Sequence, residues 1–177
     1  DAAIRAVLEK VASGQNRALL SLATGSGKTF IAVHLLKRIA DAGLLSRALF
    51  VCDRDELRSQ ALAAFVNEFG SDAAAASSGN PEKNARVVIG TYQTLGVDTY
   101  ESDSSFLKTH YPENYFSHII IDECHRSAWG KWSEVLTRNP DAVQIGLTAT
   151  PREFEYTENS SASLEDKKIT ADKMKYF

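Results

Sequence analysis

The sequence contains little of what marks several broad classes of protein. It has two cysteines and one methionine among 177 residues, and its longest apolar runs, such as residues 119–121, fall far short of the roughly 20 residues that span a membrane. Cys52 and Cys124 lack the CxxC spacing of a zinc or redox site. We therefore predict free, buried thiols in a reducing cytoplasm, with no membrane contact and no secretion.

Neither sign of charge is in large excess, since 20 basic residues stand against 23 acidic ones. The formal net charge is -3 at pH 7, which argues against a protein that holds nucleic acid mainly by a broad basic surface. Hydrophobic residues make up 44% and charged residues 24%, an ordinary globular composition, and the length allows one domain and a tail. Basic residues exceed acidic ones within the first 70 positions, so any anion-binding face is expected there.

The two ends of the chain suggest a larger parent protein. The first residue is Asp1 and the lone methionine is Met174, so we expect a piece of something longer. Apolar density drops and charge rises from Pro151 onward. We predict one domain over residues 1–152 and a polar tail over residues 153–177.

Short apolar runs alternate with helical patterns along the chain. The runs are rich in β-branched and aliphatic residues, as strands buried on both faces are, and they cover residues 18–22, 48–52, 87–90, 118–122 and 143–148. Helical patterns cover residues 28–40 and 55–69, and the aromatic-rich stretch 100–116 is interpreted as an insertion packed on the domain edge. The alternation predicts an α/β fold, a parallel β-sheet flanked by helices, with ligands beyond the carboxyl ends of the strands.

A glycine-rich turn follows the first predicted strand and opens onto a helix. Such a turn aims backbone N-H groups and the positive end of the helix dipole at one point, which is typical of a P-loop that binds the phosphates of ATP. Lys28 would sit on the outer phosphates, and Thr29 would offer its hydroxyl to Mg²⁺. The general pattern has glycine where Leu22 stands, and the alternative is a glycine turn with an incidental lysine. The predicted cofactor-binding residues are Thr24, Gly25, Ser26, Gly27, Lys28 and Thr29.

Two adjacent acids end another apolar strand. Asp122 and Glu123 follow Ile119-Ile120-Ile121, where a carboxylate beside the phosphate loop can hold Mg²⁺ and its neighbour can orient or deprotonate the attacking water. We assign the metal role to Asp122 and the water role to Glu123. Taken alone, two acids after a strand would more often be a solvated turn, and it is the P-loop upstream that favours the functional interpretation.

These residues carry a resemblance to a known group. Asp122-Glu123-Cys124-His125 is similar to the DExH box of superfamily-two helicases and translocases, and residues 23–29 resemble its motif I. Residues 51–60, 90–95 and 148–151 resemble motif Ia, the next DNA-contacting motif and motif III. The resemblance implies the first RecA-like domain of an ATP-dependent motor, a P-loop NTPase that uses ATP and Mg²⁺.

A narrower resemblance rests on residues 122–127, Gly130, residues 146–151 and the ending 175–177. These look most like the motor subunit of type I restriction enzymes. That resemblance implies a cytoplasmic hydrolase, part of a type I site-specific deoxyribonuclease, that translocates on double-stranded DNA. It also implies a second RecA-like domain of the same parent, toward which the tail would lead, together with modification and specificity subunits. The isolated piece is expected to have little activity, because an arginine of the second domain would complete catalysis.

The resemblance also assigns roles residue by residue, each with a plain alternative. Its catalytic residues would be Lys28, Glu123 and His125, and His125 is interpreted as a link toward the coupling residues Thr148 and Thr150. The nucleic-acid contacts would be made by polar or basic groups after two strands, which could equally be surface residues or helix caps. They are Arg54, Gln60, Thr91, Gln93 and Thr94.

Two rival functions stay open from sequence. The nearer rival is a DNA-repair or RNA helicase of the same superfamily, which the Arg126-Ser127 context argues against. The more distant one is a non-catalytic nucleic-acid-binding module that keeps the fold as a scaffold. The intact set of Lys28, Thr29, Asp122 and Glu123 weighs against that second rival.

Overall fold

The fold was analysed in a computed structural model of the chain. The structure describes residues 2–22, 27–53, 55–96, 105–122 and 129–149, with side chains in the last range described for residues 133–148. Six α-helices, one short 3-10 helix at Gly70–Asp72 and six strands lie in these ranges. The helices are α1 Ala2–Ala12, α2 Lys28–Asp41, α3 Asp55–Phe69, α4 Tyr92–Leu95, α5 Phe106–His110 and α6 Trp129–Thr137. The strands are β1 Arg17–Leu22, β2 Ala48–Cys52, β3 Ala73–Ala75, β4 Val87–Thr91, β5 His118–Ile121 and β6 Val143–Ala149.

The six strands form one sheet in the order β1-β6-β5-β2-β4-β3. Every pair of neighbouring strands is parallel, so their carboxyl ends share one edge. The last strand in sequence, β6, lies between β1 and β5. One strand, β6, therefore separates β1, which leads into the glycine-rich turn, from β5, which Asp122 follows.

The sheet is buried on both faces because its strands alternate between two hydrophobic cores. In β2, Ala48, Phe50 and Cys52 face the core formed with α1, α2 and α3, whereas Leu49 and Val51 face the opposite core. The strands β4, β5 and β6 supply inward residues to the first core in the same way. Residues buried on both sides explain why the strands read as continuous apolar runs in the sequence.

The two longest helices form where the apolar pattern places them. α2 buries a stripe of aliphatic side chains on the sheet, and α3 inserts Ala61 and Phe65, whose ring lies 5.3 Å from the Phe50 ring. Predicted strands at 18–22, 48–52, 87–90, 118–122 and 143–148 agree with β1, β2, β4, β5 and β6 to within one residue at each end. No helix within the described residues is long and apolar enough to cross a membrane.

The second core departs from the sequence interpretation. The aromatic stretch before β5 was predicted to pack on the edge of the domain. Its described residues Leu107, Tyr111 and Phe116 are instead buried in the second core, against the central strands. The Tyr111 ring lies 5.0 Å from Phe116, and its hydroxyl donates to the carbonyl of Pro81. These rings fill the second core, on the face of the sheet opposite α2 and α3.

Candidate functional site

The carboxyl edge of the sheet gathers residues that are far apart in sequence. Ser21 of β1 pairs with Thr148 of β6, and Ile121 of β5 pairs with Gly146 of β6, so Asp122 follows one strand away from Thr148. Neighbouring strands lie about 4.8 Å apart, which puts the β1 and β5 ends roughly 10 Å from each other.

The described end of the glycine-rich turn and the start of α2 have a geometry that suits an anion. Gly27 adopts a left-handed conformation, φ 74° and ψ 45°, which glycine tolerates without strain. The first hydrogen bond of α2 runs from Ile31 N to Gly27 O, at 3.0 Å, so the amides of Lys28 and Thr29 precede it at the positive end of the helix. Lys28 and Thr29 are half-buried. The predicted residues Thr24, Gly25 and Ser26 lie outside the described residues.

Asp122 is held at the tip of β5 in a dry environment. Its backbone N-H donates to Val51 O at 2.9 Å, and the residue is 6% exposed. Burial raises the pKa of the Cys52 thiol to about 12, and the Asp122 carboxylate adds to that rise, which places its charge close to the end of β2. Thr148 is fully buried on the strand beside β5. The catalytic candidates Glu123 and His125 and the coupling candidate Thr150 lie outside the described residues.

The donor chemistry at this edge suits magnesium. A hydroxyl at Thr29 and a carboxylate at Asp122 are oxygen donors, and Mg²⁺ is usually held by one or two such protein groups together with substrate phosphates. Within the described ranges, no group of three or more His, Cys, Asp or Glu side chains forms a metal cage. The residues present therefore fit a metal that arrives with a phosphate ligand.

A groove of about 660 Å³ lies at the same edge, where β2 and β4 end. It brings together three of the predicted nucleic-acid residues, Thr91, Gln93 and Thr94. Its other described lining residues are Asp53, Asp55, Ser78, Gly96 and Phe106. Gln60 is exposed on α3 and is absent from that described lining, and Arg54 lies outside the described residues.

Thr91 has a structural role that its sequence position left open. It is 1% exposed, and its hydroxyl oxygen accepts a hydrogen bond from Thr94 N at 3.1 Å, which caps α4. The two hydroxyls are also 3.1 Å apart. Gln93 is exposed and Thr94 is half-buried, so these two side chains are the accessible members of the predicted set.

Sequence reasoning missed five of the described lining residues of the groove, among them Asp53, Asp55 and Phe106. Asp53 and Asp55 follow β2 directly, and their positions after a strand were a usable signal. Asp55 lies 3.6 Å from Arg58, which also donates to Ala76 O, so this arginine is engaged within the domain. Phe106 comes from a segment that returns to the groove at the start of α5, and no local pattern in the sequence indicates that return.

Residues 1–153 match the family described as type III restriction enzyme, res subunit. The chain belongs to this family. It is 36% identical over 154 residues to the type I restriction enzyme EcoAI endonuclease subunit of Escherichia coli, covering 85% of this chain and 19% of that protein. It is 31% identical over 179 residues to the EcoKI endonuclease subunit of E. coli strain K12, covering 84% of this chain and 14% of the relative. The chain thus spans less than a fifth of the length of these relatives.

Solved structures share the fold. A fragment described as an HsdR subunit of a type I restriction enzyme from Vibrio vulnificus YJ016 aligns with a TM-score of 0.64 and 28% identity, over 95% of this chain and 27% of that one. The Hef helicase domain of Pyrococcus furiosus also gives 0.64, at 20% identity, over 96% and 36% of the two chains. The predicted RecA-like α/β fold is confirmed, and so is the predicted resemblance to the endonuclease subunit of type I restriction enzymes.

Proposed function

We propose that this domain binds ATP with Mg²⁺ and, within a longer parent protein, drives translocation along double-stranded DNA as the motor of a restriction subunit. The observation that carries the proposal is the arrangement at the carboxyl edge of the sheet, where Asp122 follows β5, Thr148 lies on the neighbouring β6, and Lys28 begins the helix that comes after β1. A phosphate loop and a buried carboxylate in this order suit a nucleotide whose outer phosphates lie between them.

Each residue at the nucleotide end has a distinct task in the proposal. The loop from Thr24 to Gly27 would wrap the phosphates with backbone amides, and Lys28 would neutralise the outer phosphates. Thr29 and Asp122 would hold Mg²⁺, which supplies charge neutralisation at the phosphates when it is bound. The low exposure of Asp122 supports this role, because a carboxylate in a dry site interacts strongly with a cation.

Hydrolysis would require groups on both sides of the phosphates. Glu123 would orient or deprotonate the attacking water, and His125 would link the site to Thr148 and Thr150 on β6 and beyond it. An arginine from a second RecA-like domain of the same parent would stabilise charge on the transferred phosphoryl group. This domain alone would therefore bind nucleotide well and hydrolyse it slowly.

The nucleic-acid end of the proposal rests on the groove after β2 and β4. Gln93 and Thr94 are its accessible polar groups from the predicted set, and Arg54 and Gln60 follow the same strand end as Asp53. Polar contacts of this kind suit the phosphates and sugars of the DNA backbone, and they do not distinguish one base sequence from another. The parent would act in the cytoplasm with modification and specificity subunits, as part of an assembly that is a site-specific endonuclease.

Calorimetric titration of ATP with Mg²⁺ tests the nucleotide assignment. Lys28→Ala should weaken binding about tenfold or more, because it deletes a charge-assisted contact typically worth about 1.5 to 3 kcal/mol. Lys37→Ala is a matched control on the same helix, since the Lys37 ammonium is already paired with Asp41 at 2.9 Å. Equal affinities for the wild type and Lys28→Ala would contradict the assignment.

The translocase and helicase alternatives separate in the complete parent protein. A motor that follows duplex DNA should displace the third strand of a triplex without opening a fork. Efficient fork unwinding with no triplex displacement would favour the helicase alternative instead.

A further inference from the structure

A large aromatic side chain stands exposed next to the phosphate loop. Phe30 lies in the first turn of α2 and is 61% exposed. Its Cβ is 3.6 Å from the position that a Cβ on Gly27 would occupy, so the side chain starts beside the last residue of the glycine-rich turn. Contact between this ring and water is unfavourable, so a ligand that covered the ring would gain free energy from its burial.

His34 fixes the orientation of this ring from one turn further along α2. The two ring centroids are 4.0 Å apart with a tilt of 56°, the spacing of a close aromatic pair. His34 is half-buried, and the remaining exposure of Phe30 shows that the contact covers only part of its ring. One part of the phenyl group is therefore braced while the rest faces solvent at the start of α2.

We propose that Phe30, braced by His34, is the platform on which the nucleoside part of the bound nucleotide packs. This inference rests on the proposed function, because it requires the phosphates to lie on the loop ending at Gly27, Lys28 and Thr29. With phosphates there, the ribose and base must project just outside the loop, where the next side chain is Phe30. A purine is flat and apolar on its faces and gains by stacking on an aromatic ring.

Bracing makes the platform effective. A ring already held by a neighbour loses less rotational freedom when a ligand packs on it, so more of the stacking interaction appears as affinity. Stacking of one base on an aromatic side chain typically changes affinity about 5- to 150-fold. The platform would therefore make this domain prefer ATP and ADP over a triphosphate that lacks a nucleoside.

Two probes separate the nucleoside from the phosphates, namely ATP and inorganic tripolyphosphate, each titrated with Mg²⁺ into the 177-residue chain. Phe30→Ala should weaken ATP binding about 5- to 150-fold and leave tripolyphosphate binding unchanged. Leu44→Ala is the matched control, because Leu44 is 70% exposed but lies beyond the opposite end of α2. It should change neither affinity.

A second variant keeps the platform and adds a signal. Phe30→Trp should retain ATP affinity, and its fluorescence, measured as the difference from the wild type, should change on adding ATP and stay constant on adding tripolyphosphate. Thermal unfolding of each variant verifies that an exposed position has been changed without loss of the fold.

The possible failures are distinguishable. If Phe30→Ala weakens both probes equally, the side chain merely supports the loop, and the platform is refuted. If Phe30→Ala leaves ATP affinity unchanged, or the wild type binds both probes equally well, the platform is refuted while the loop assignment survives. If the wild type binds neither probe, the proposed nucleotide function itself fails, and the inference falls with it.

Discussion

Acid should destabilise this domain through one buried histidine. His118 opens β5, is 6% exposed, and packs between Ala48 of β2 and Val143 of β6 in the parallel register. Its Nδ1 lies 2.8 Å from Ser117 Oγ, a neutral partner. Burial lowers the pKa of His118 from 6.5 to about 4, because the charged imidazolium is poorly solvated there.

The direction of the effect follows from the protons bound in each state. Between pH 6.5 and pH 4 the unfolded chain carries a proton on His118 and the folded chain does not, so falling pH favours unfolding. At 1.36 kcal/mol for each unit of pKa difference, this residue removes about 2 kcal/mol of unfolding free energy by pH 5 and about 3 kcal/mol by pH 4. Above pH 7 it contributes no pH dependence.

Urea unfolding of the wild type and of His118→Leu across pH 4 to 8 isolates the contribution of His118 to the unfolding free energy. Carboxylates titrate alike in both proteins, so the difference between the two unfolding free energies should rise by about 3 kcal/mol in favour of the leucine variant as pH falls from 7 to 4. NMR titration of the His118 ring in the wild type measures its pKa directly if the variant folds poorly. Parallel stability curves, or a ring that titrates near 6.5, would refute the reasoning.

Three further outcomes are expected elsewhere. Gly96→Ala should lower the unfolding free energy by about 1–2 kcal/mol in denaturant titrations, because residue 96 has φ +68° and a Cβ would meet Phe106 N at 3.2 Å; unchanged stability would contradict this. Glu123→Gln in the complete parent should keep ATP affinity while hydrolysis falls about 10²- to 10⁴-fold, and a steady-state assay showing wild-type turnover would argue against Glu123 as the base. DNA binding by this chain alone should be weak with a shallow salt dependence in fluorescence anisotropy, since each neutralised phosphate adds only about 0.9 to the slope; a steep slope would indicate cations beyond those predicted.

The sheet could be predicted from sequence because its strands are buried on both sides. Such strands are continuous apolar runs, and five of the six were placed to within a residue at each end. The exception, Ala73–Ala75, is a three-residue edge strand of alanines, which have little β propensity and resemble a loop. Its place is decided by pairing with β4, an interaction between residues more than ten positions apart.

Parts of the candidate site were predictable for a different reason. Lys28, Thr29 and Asp122 are marked locally, since each follows an apolar strand, and the parallel sheet then brings those strand ends together. Phe106 and Phe30 have no local sequence pattern that indicates a functional position. Phe106 reaches the groove through the path of the chain, and Phe30 belongs to an apolar helix pattern in which an exposed position cannot be told from a buried one without the structure.

The position of β5 suggests how the two ends of the site could communicate. In the sheet, β1 and β6 lie on one side of β5, and β2 and β4 lie on the other, so Asp122 stands between the predicted nucleotide-binding residues and the groove. Its amide is bonded to Val51 O of β2, and its carboxylate acts electrostatically on Cys52, whose Sγ in turn lies 3.6 Å from Gly90 O of β4. Asp122 is therefore tied by its backbone to the end of β2, and the residue that follows that strand, Asp53, lines the groove. Close packing of the interior keeps these two strand ends in a fixed relation to each other.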